Sequence, residues 1–352
     1  MMKKLIGSGV ATVLALSAIL TGCGGTNPAS QATTNPVPAS EATAKPADEK
    51  PIELKMGHVL SPDSHFHALA TKFAKLAAQK SNGAIKITIF PQSQLGGDVR
   101  MIQSMRTGIQ GLSITASSIL VNTIPEYMIF DLPYLFDSID QGNEVLSGPV
   151  GKKYLDMLEK HDLVGLGFLS VLERNVFSNK AIQSADDINS LKLRIMQAPG
   201  HVKSYEALGA QPTPMAYSEV YMSLQQGVID GGDTTPDQFI MDKFMEVAKN
   251  YNLTKVHYLP LVLTMSKVVW DQMSPNQQKI LQEAADEALA YQIDYYKNEY
   301  ARSIEAIKQA GVSVVESDVE DLKKKAITSY DAILKDIPNG KQLLEEIQAA
   351  KK

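Results

Sequence analysis

Two arginines are the residues of this sequence best suited to holding an anion. Arg174 follows a predicted strand at 163–172, and Arg194 lies within another at 191–196, where alternation sends it to the face opposite Leu193 and Ile195. A guanidinium presents a planar fork of donors that matches a carboxylate at two points. The alternative use of such an arginine is an ion pair that ties two lobes together. Other reactive patterns are sparse. The chain has no glycine-rich phosphate loop, no HExxH pair, no GxSxG elbow and a single cysteine. His58, His65 and His67 cluster near the first predicted strand and helix, but residues two apart do not share a helical face. His65, in the first turn of that helix, is expected at the rim of a cleft. No catalytic residue, cofactor or metal is expected, and the chain reads as a binding protein, not an enzyme.

The elements that must position these residues alternate between strand and helix. A strand at 52–60 leads to a helix at 64–80, with Phe66, Leu69, Ala70, Phe73, Leu76 and Ala77 on one stripe and Ser81, Asn82 and Gly83 as its stop. A strand at 84–90, a helix at 99–106 closed by Gly108 and a strand at 111–116 follow. Further helices are predicted at 200–208 and 218–226, and a further strand at 262–266. This order indicates an α/β fold. One helix is long: Pro275 follows a Ser274 N-cap, and Leu281, Ala285, Leu289, Tyr296, Tyr300, Ile304 and Ile307 keep one face apolar as far as Gln309. At 1.5 Å per residue it would measure roughly 50 Å, enough to run along two lobes; the alternative is two helices broken near 292–295. About 300 folded residues suit two cores rather than one. The expected division is 51–172 with 260–299 as one lobe and 173–259 with 300–352 as the other.

The N-terminal segment reads as an export and anchoring signal. Lys3 and Lys4 precede an apolar run from Leu5 to Leu20, which is short for a membrane span of about 20 residues. Residues 1–22 are taken as a signal peptide, and Leu20, Thr21, Gly22 and Cys23 as a lipobox that leaves Cys23 acylated at the new N-terminus. Residues 24–50 hold Pro28, Pro36, Pro38 and Pro46 among Ala, Ser, Thr, Asn and Gln, with no aromatic residue, Leu or Ile, and read as a disordered tether. Without Lys3 and Lys4, 32 basic residues face 39 acidic ones, a balance of −7. That excess, with no basic stripe, argues against nucleic-acid binding.

Three segments carry a family resemblance. Residues 89–97, IFPQSQLGG, look like the FPxxQLG signature of the solute receptors of TRAP transporters. Residues 191–196, LKLRIM, resemble that family's arginine-bearing strand, and residues 208–232, LGAQPTPMAYSEVYMSLQQGVIDGG, match its longest block almost throughout. The resemblance implies two lobes of the type II periplasmic-binding-protein class, with the ligand between them. It also implies two integral membrane subunits, one small and one large, driven by an ion gradient, with the receptor itself a monomer. By the same resemblance Arg194 pairs with the substrate carboxylate, Arg174 is a second arginine, Tyr217 packs on the ligand, and Thr234 stands where many members carry Asn. Asp233 either touches ligand or braces the turn made by Gly231 and Gly232. Ser117 replaces a glutamate of sialic-acid-binding relatives, which disfavours that ligand. Ser117, Thr234 and Gln94 offer hydrogen bonds to hydroxyls, and no cleft carboxylate is evident beside the arginines. The expected ligand is therefore a small organic acid, a sugar acid ahead of a C4-type dicarboxylate. The receptor of an ATP-driven importer and a surface-anchored enzyme are the alternatives.

If Cys23 carries the anchor, Cys23→Ser releases the protein from membranes or leaves it unprocessed. Fractionation of native cells checks this, and a wild-type protein found wholly in the soluble fraction would refute it.

Overall fold

The computed structural model describes residues 50–351. The signal, Cys23 and the tether as far as residue 49 lie outside the described residues. Strands pair into two sheets, one per lobe, as the α/β reading requires. The first sheet joins β1 (Ile52–Gly57), β2 (Ile85–Phe90), β3 (Leu112–Ala116), β4 (Leu163–Phe168) and β10 (Leu261–Ser266) in the order β2-β1-β3-β10-β4. Here β1 runs parallel to β2 and β3, whereas β10 is antiparallel to both of its neighbours. The second contains β5 (Leu172–Ser178), β6 (Lys192–Ile195), β7 (Gln211–Pro214), β8 (Gly231–Thr234), β9 (Asn250–Leu259) and β11 (Ser313–Val315). Its order is β11-β9-β5-β8-β6-β7.

The first βαβ unit follows directly from its residues. Ser64 caps the helix His65–Lys80 by accepting from the His67 amide, and Phe66, Leu69, Ala70, Phe73 and Ala77 bury the predicted stripe. Asn82 and Gly83, both at positive φ, then turn the chain into β2. In the second sheet the pleat sends neighbours to opposite cores. Val176 packs with Leu193, Ile195 and Tyr205 on one face, and Phe177 with Val220, Phe239 and Tyr251 on the other.

The chain changes sheet twice without a loop of any length. The expected single strand at 163–172 is two strands, β4 and β5, which belong to different lobes. At the change, Asn143 Oδ1 accepts from the Val171 amide at 2.7 Å, and Gln292 Oε1 accepts from that of Ser170 at 2.8 Å. The return runs from β9 to β10 through Pro260, which has no N–H to give to either ladder. The Pro260 carbonyl is not left idle: it accepts from the amide of Ser117 at 3.0 Å.

The third connection is the long helix, continuous over Pro275–Gln309 and opened by a capping box of Ser274 with Gln277. Leu281, Ala284, Ala285 and Ala288 pack into the first lobe's core, and Ile307 into that of the second. Gln292, whose side chain holds the β4–β5 crossing, sits in the stretch where a break was the alternative. The C-terminal residues depart from the expected division. Ile333, Leu334, Leu343 and Ile347, grouped with the second lobe by sequence alone, pack into the first lobe's core. The last helix, Gly340–Ala350, is amphipathic through Leu343, Leu344 and Ile347, and such a stripe marks a buried face without telling which lobe it meets.

Gly231 and Gly232 are strand residues of β8, not a turn. A Cβ on Gly231 would lie 2.1 Å from the Phe177 carbonyl oxygen of β5, so the strands approach closely only because that atom is absent. Gly231→Ala is expected to separate β5 from β8 and lower the melting temperature by several degrees; an unchanged thermal unfolding curve would refute the packing role.

Candidate functional site

The cleft lies where the crossing strands meet the carboxyl ends of β1 and β3. Its polar lining consists of Asp98 from the first lobe and Arg174, Arg194 and Gln238 from the second, with Tyr217 beside them. The cavity that these residues line is about 40 Å³, room for the centres of only a few waters, so the cleft is nearly shut there. A roomier groove of about 610 Å³ lies on the outer face of the first lobe, along β4 and the long helix. Its charged residues are exposed and, in Lys152 and Asp156, paired with each other. The arginine cleft is the better candidate.

The two arginines are in different electrostatic states. Arg174 Nε donates to Asp233 Oδ2 at 2.6 Å, and a terminal nitrogen donates to the Asp233 carbonyl. Both side chains are almost fully buried. Burial alone would push the Asp233 carboxyl up, but the charge and hydrogen bond of Arg174 hold it far below the usual carboxylate range. Arg174 is thus neutralised within the protein, the ion-pair use of an arginine, here inside one lobe.

Arg194 is not. It is 4% exposed, donates one terminal nitrogen to the Met215 carbonyl at 3.0 Å, and has no partner for Nε. Its guanidinium lies 5.6 Å from the centre of the Tyr217 ring. Burial, reinforced by the charge of Arg174, lowers its pKa to about 10, so it remains a cation at neutral pH. Leu193 and Ile195 point into the core on either side, which fixes the strand and aims Arg194 at the cleft. Tyr217 donates to Asp242 Oδ2 at 2.5 Å and so presents its ring, not its hydroxyl, to the cavity.

Asp98 was not found by sequence reasoning. It is the first residue of the helix Asp98–Arg106, directly after Gly97, and faces Arg194. Removal from water pushes its carboxyl up to about 6, an effect that Arg194 and its own amide partly offset. A signal was available, since an acid directly after Gly96 and Gly97 and ahead of a predicted helix marks that helix's N-terminus.

The other predicted residues fall elsewhere. Gln94 is exposed in a shallow groove with Arg100 and Ile109, outside the cleft. Ser117 is fully buried and does not line the cavity. The Thr234 hydroxyl donates to Gln238 Oε1 at 2.7 Å, so Thr234 orients a lining residue and is not one itself. His65 is not at a rim: its Nδ1 lies 2.6 Å from Asp237 Oδ2, both side chains are fully buried, and its ring packs on Tyr296 of the long helix. This pair joins the two lobes directly behind Phe66 and Gln238.

Two constellations resemble reactive sites and are not built as such. His201, Asp233 and His257 bring ligand atoms together, but the two imidazoles are stacked 4.0 Å apart and nearly parallel. Their lone pairs therefore do not converge on one point, and Asp233 already carries Arg174. Ser118, Asp131 and His201 are mutually hydrogen-bonded or close, yet Ser118 Oγ donates straight to Asp131 at 2.5 Å and all three are fully buried. A nucleophile needs its hydroxyl directed to a base and open to substrate.

A two-lobed α/β fold with one unpaired guanidinium in a nearly closed interlobe cleft defines a solute-binding receptor. The sequence profile of the bacterial extracellular solute-binding proteins, family 7, matches residues 56–336. The C4-dicarboxylate-binding periplasmic protein of Rhodobacter capsulatus is 32% identical over 78% of this chain and 83% of its own length. The sugar acid binding protein of Advenella mimigardefordensis, solved with galactonate, superposes with a TM-score of 0.83 at 28% identity, covering 86% of this chain and all of that one. A TRAP periplasmic solute binding protein from Sulfitobacter, solved with β-D-galacturonate, gives 0.82 at 27% identity over 85% of this chain and all of its own. The chain belongs to solute-binding family 7, the receptors of TRAP transporters.

Because Asp98 sits beside Arg194, its protonation removes a negative charge from the cleft. Affinity for an anionic ligand should therefore rise as pH falls from 7.5 through 6 to 5, while the ligand stays ionised. Asp131 and Asp242, pushed up by burial to about 7 and about 6, titrate in the same range, so Asp98→Asn is the control. Calorimetry at several pH values should show that this variant has lost the dependence; retention of the full dependence would assign it to another group.

Proposed function

We propose that this protein is an extracytoplasmic receptor, anchored through Cys23, that captures a small organic acid on Arg194 and delivers it to the paired membrane subunits of a TRAP transporter. The observation that carries this reading is the asymmetry of the two cleft arginines. Arg174 is neutralised by Asp233, whereas Arg194 is buried, lines the cavity and has no partner for its Nε. A buried unpaired charge is costly, and an arriving carboxylate supplies both the counter-charge and the missing acceptor. The relatives point the same way, since the ligands named for them, C4-dicarboxylates, galactonate and galacturonate, are all carboxylates.

Closure about the strand crossings then couples binding to shape. In the open form water screens Arg194; closing expels that water and strengthens its contact with the ligand. The membrane subunits distinguish the loaded receptor by the relative position of its lobes. Catalysis has no part in this cycle, and the residues that resemble a catalytic triad serve to brace the lobes.

Losing a buried charged hydrogen-bond pair costs about 2 to 5 kcal/mol, so Arg194→Ala should weaken ligand binding ~30-fold or more in a protein that still folds. Arg194→Lys should also weaken it, because a point charge does not reproduce the fork. Arg174→Ala should behave differently: it strands Asp233, and the main loss should be in stability, about 3 to 5 kcal/mol. Calorimetry and denaturant unfolding separate the two, and normal affinity in Arg194→Ala would remove Arg194 from the site.

A further inference from the structure

The receptor reading leaves the body of the ligand open, and the walls of the cleft bear on it. Apart from the arginines, most of the side chains facing the cavity are apolar: Val59, Leu60 and Phe66 from the first lobe, Met196 from the second, and Leu172 and Leu259 at the crossings. The remaining polar groups are few. Gln238 has its carbonyl oxygen occupied by Thr234, which leaves its amide NH2 as a donor. Tyr217 has its hydroxyl committed to Asp242. Gln94, Ser117 and Thr234, the three groups that favoured a polyhydroxylated ligand, do not line the cavity.

These walls discriminate between classes of acid. A sugar acid would bring several hydroxyls against Val59, Leu60, Phe66 and Met196, and each buried hydroxyl without a partner is penalised. A dicarboxylate would bring a second negative charge into a space where Asp233 already balances Arg174 and Asp98 lies beside Arg194. A single carboxylate with a hydrophobic body meets neither objection. One hydroxyl next to the carboxylate would find Asp98 and Gln238.

Resting on the receptor reading, we infer that the ligand is a 2-hydroxy monocarboxylate with an aliphatic or aromatic body. Its carboxylate takes Arg194, its hydroxyl lies toward Asp98 and Gln238, and its body packs against Leu60, Phe66 and Met196. One methylene in an apolar pocket is worth about ten- to 200-fold in discrimination, so the body should matter as much as the head.

The test is calorimetric titration of the protein, stripped of bound ligand by partial unfolding and refolding. The probes are 4-methyl-2-hydroxypentanoate, mandelate, glycolate, galactonate, galacturonate, succinate and the amide 4-methyl-2-hydroxypentanamide. Either 4-methyl-2-hydroxypentanoate or mandelate should bind at least ~10-fold more tightly than glycolate, galactonate, galacturonate or succinate, and the amide should not bind measurably. Met196→Gln should weaken that preferred acid ~10-fold or more, with circular dichroism confirming the fold. A sugar acid or succinate that binds as tightly as the two hydrophobic acids would overturn the inference and leave the receptor reading intact. Binding of the amide as tightly as its acid, or no binding by any acid, would overturn both.

Discussion

A guanidinium taken out of water has to be neutralised where it stands or left facing whatever will neutralise it. The second lobe does one of each. Arg174 is tied to Asp233 from the adjacent strand, and this internal ion pair lets Arg194 be unpaired without burying two bare cations side by side. If Asp233 were missing, the cleft would hold two buried like charges, with Asp98 near Arg194 as the carboxylate left to offset them. The geometry of β5, β6 and β8, with the glycine that lets β8 close on β5, can be understood as what this arrangement demands. Arg174 and Asp233 come from the neighbouring strands β5 and β8 and Arg194 from β6, where it stands opposite Gly232, one residue before Asp233.

The lobes are joined by the same elements that line the site. Leu172 and Leu259 belong to strands at the two sheet changes, and both face the cavity. Behind the site, His65 and Asp237 meet across the lobes, with Tyr296 of the long helix beside them. Burial would raise the Asp237 carboxyl, yet His65 holds it below its ordinary value, as a pair worth keeping together would. The cleft, the strand crossings and the long helix are thus packed into one continuous region that includes Arg194.

The long helix and the first βαβ unit were legible because they rest on local chemistry. Caps at Ser64 and Ser274 and unbroken apolar stripes do not depend on distant residues. Arg194 was legible for the same reason, since alternation with Leu193 and Ile195 fixes its face. The rest of the site is made of contacts across long sequence separations. That Arg174 is neutralised depends on Asp233, 59 residues away, and that His65 is buried depends on Asp237, 172 residues away. The β4–β5 change was hidden because 163–172 carries no charge and Ser170 as its one hydroxyl residue, and a run so nearly apolar does not reveal a change of sheet. Gln94 and Thr234 were misplaced because hydrogen-bonding capacity says nothing about which way a side chain faces.

The order in which the first sheet is filled bears on how such a chain comes into being. Its strand β10 lies between β3 and β4, so a chain appearing from its N-terminus leaves that sheet open at the centre until residue 266 has emerged. The same lobe then waits for the helix at Gly340–Ala350 to cover it. Contacts so distant in sequence form slowly, and a polypeptide that completes its first core last stays threadable for longest. In a family that works outside the cytoplasm, a sheet order that closes late is the kind that suits passage through a translocation pore.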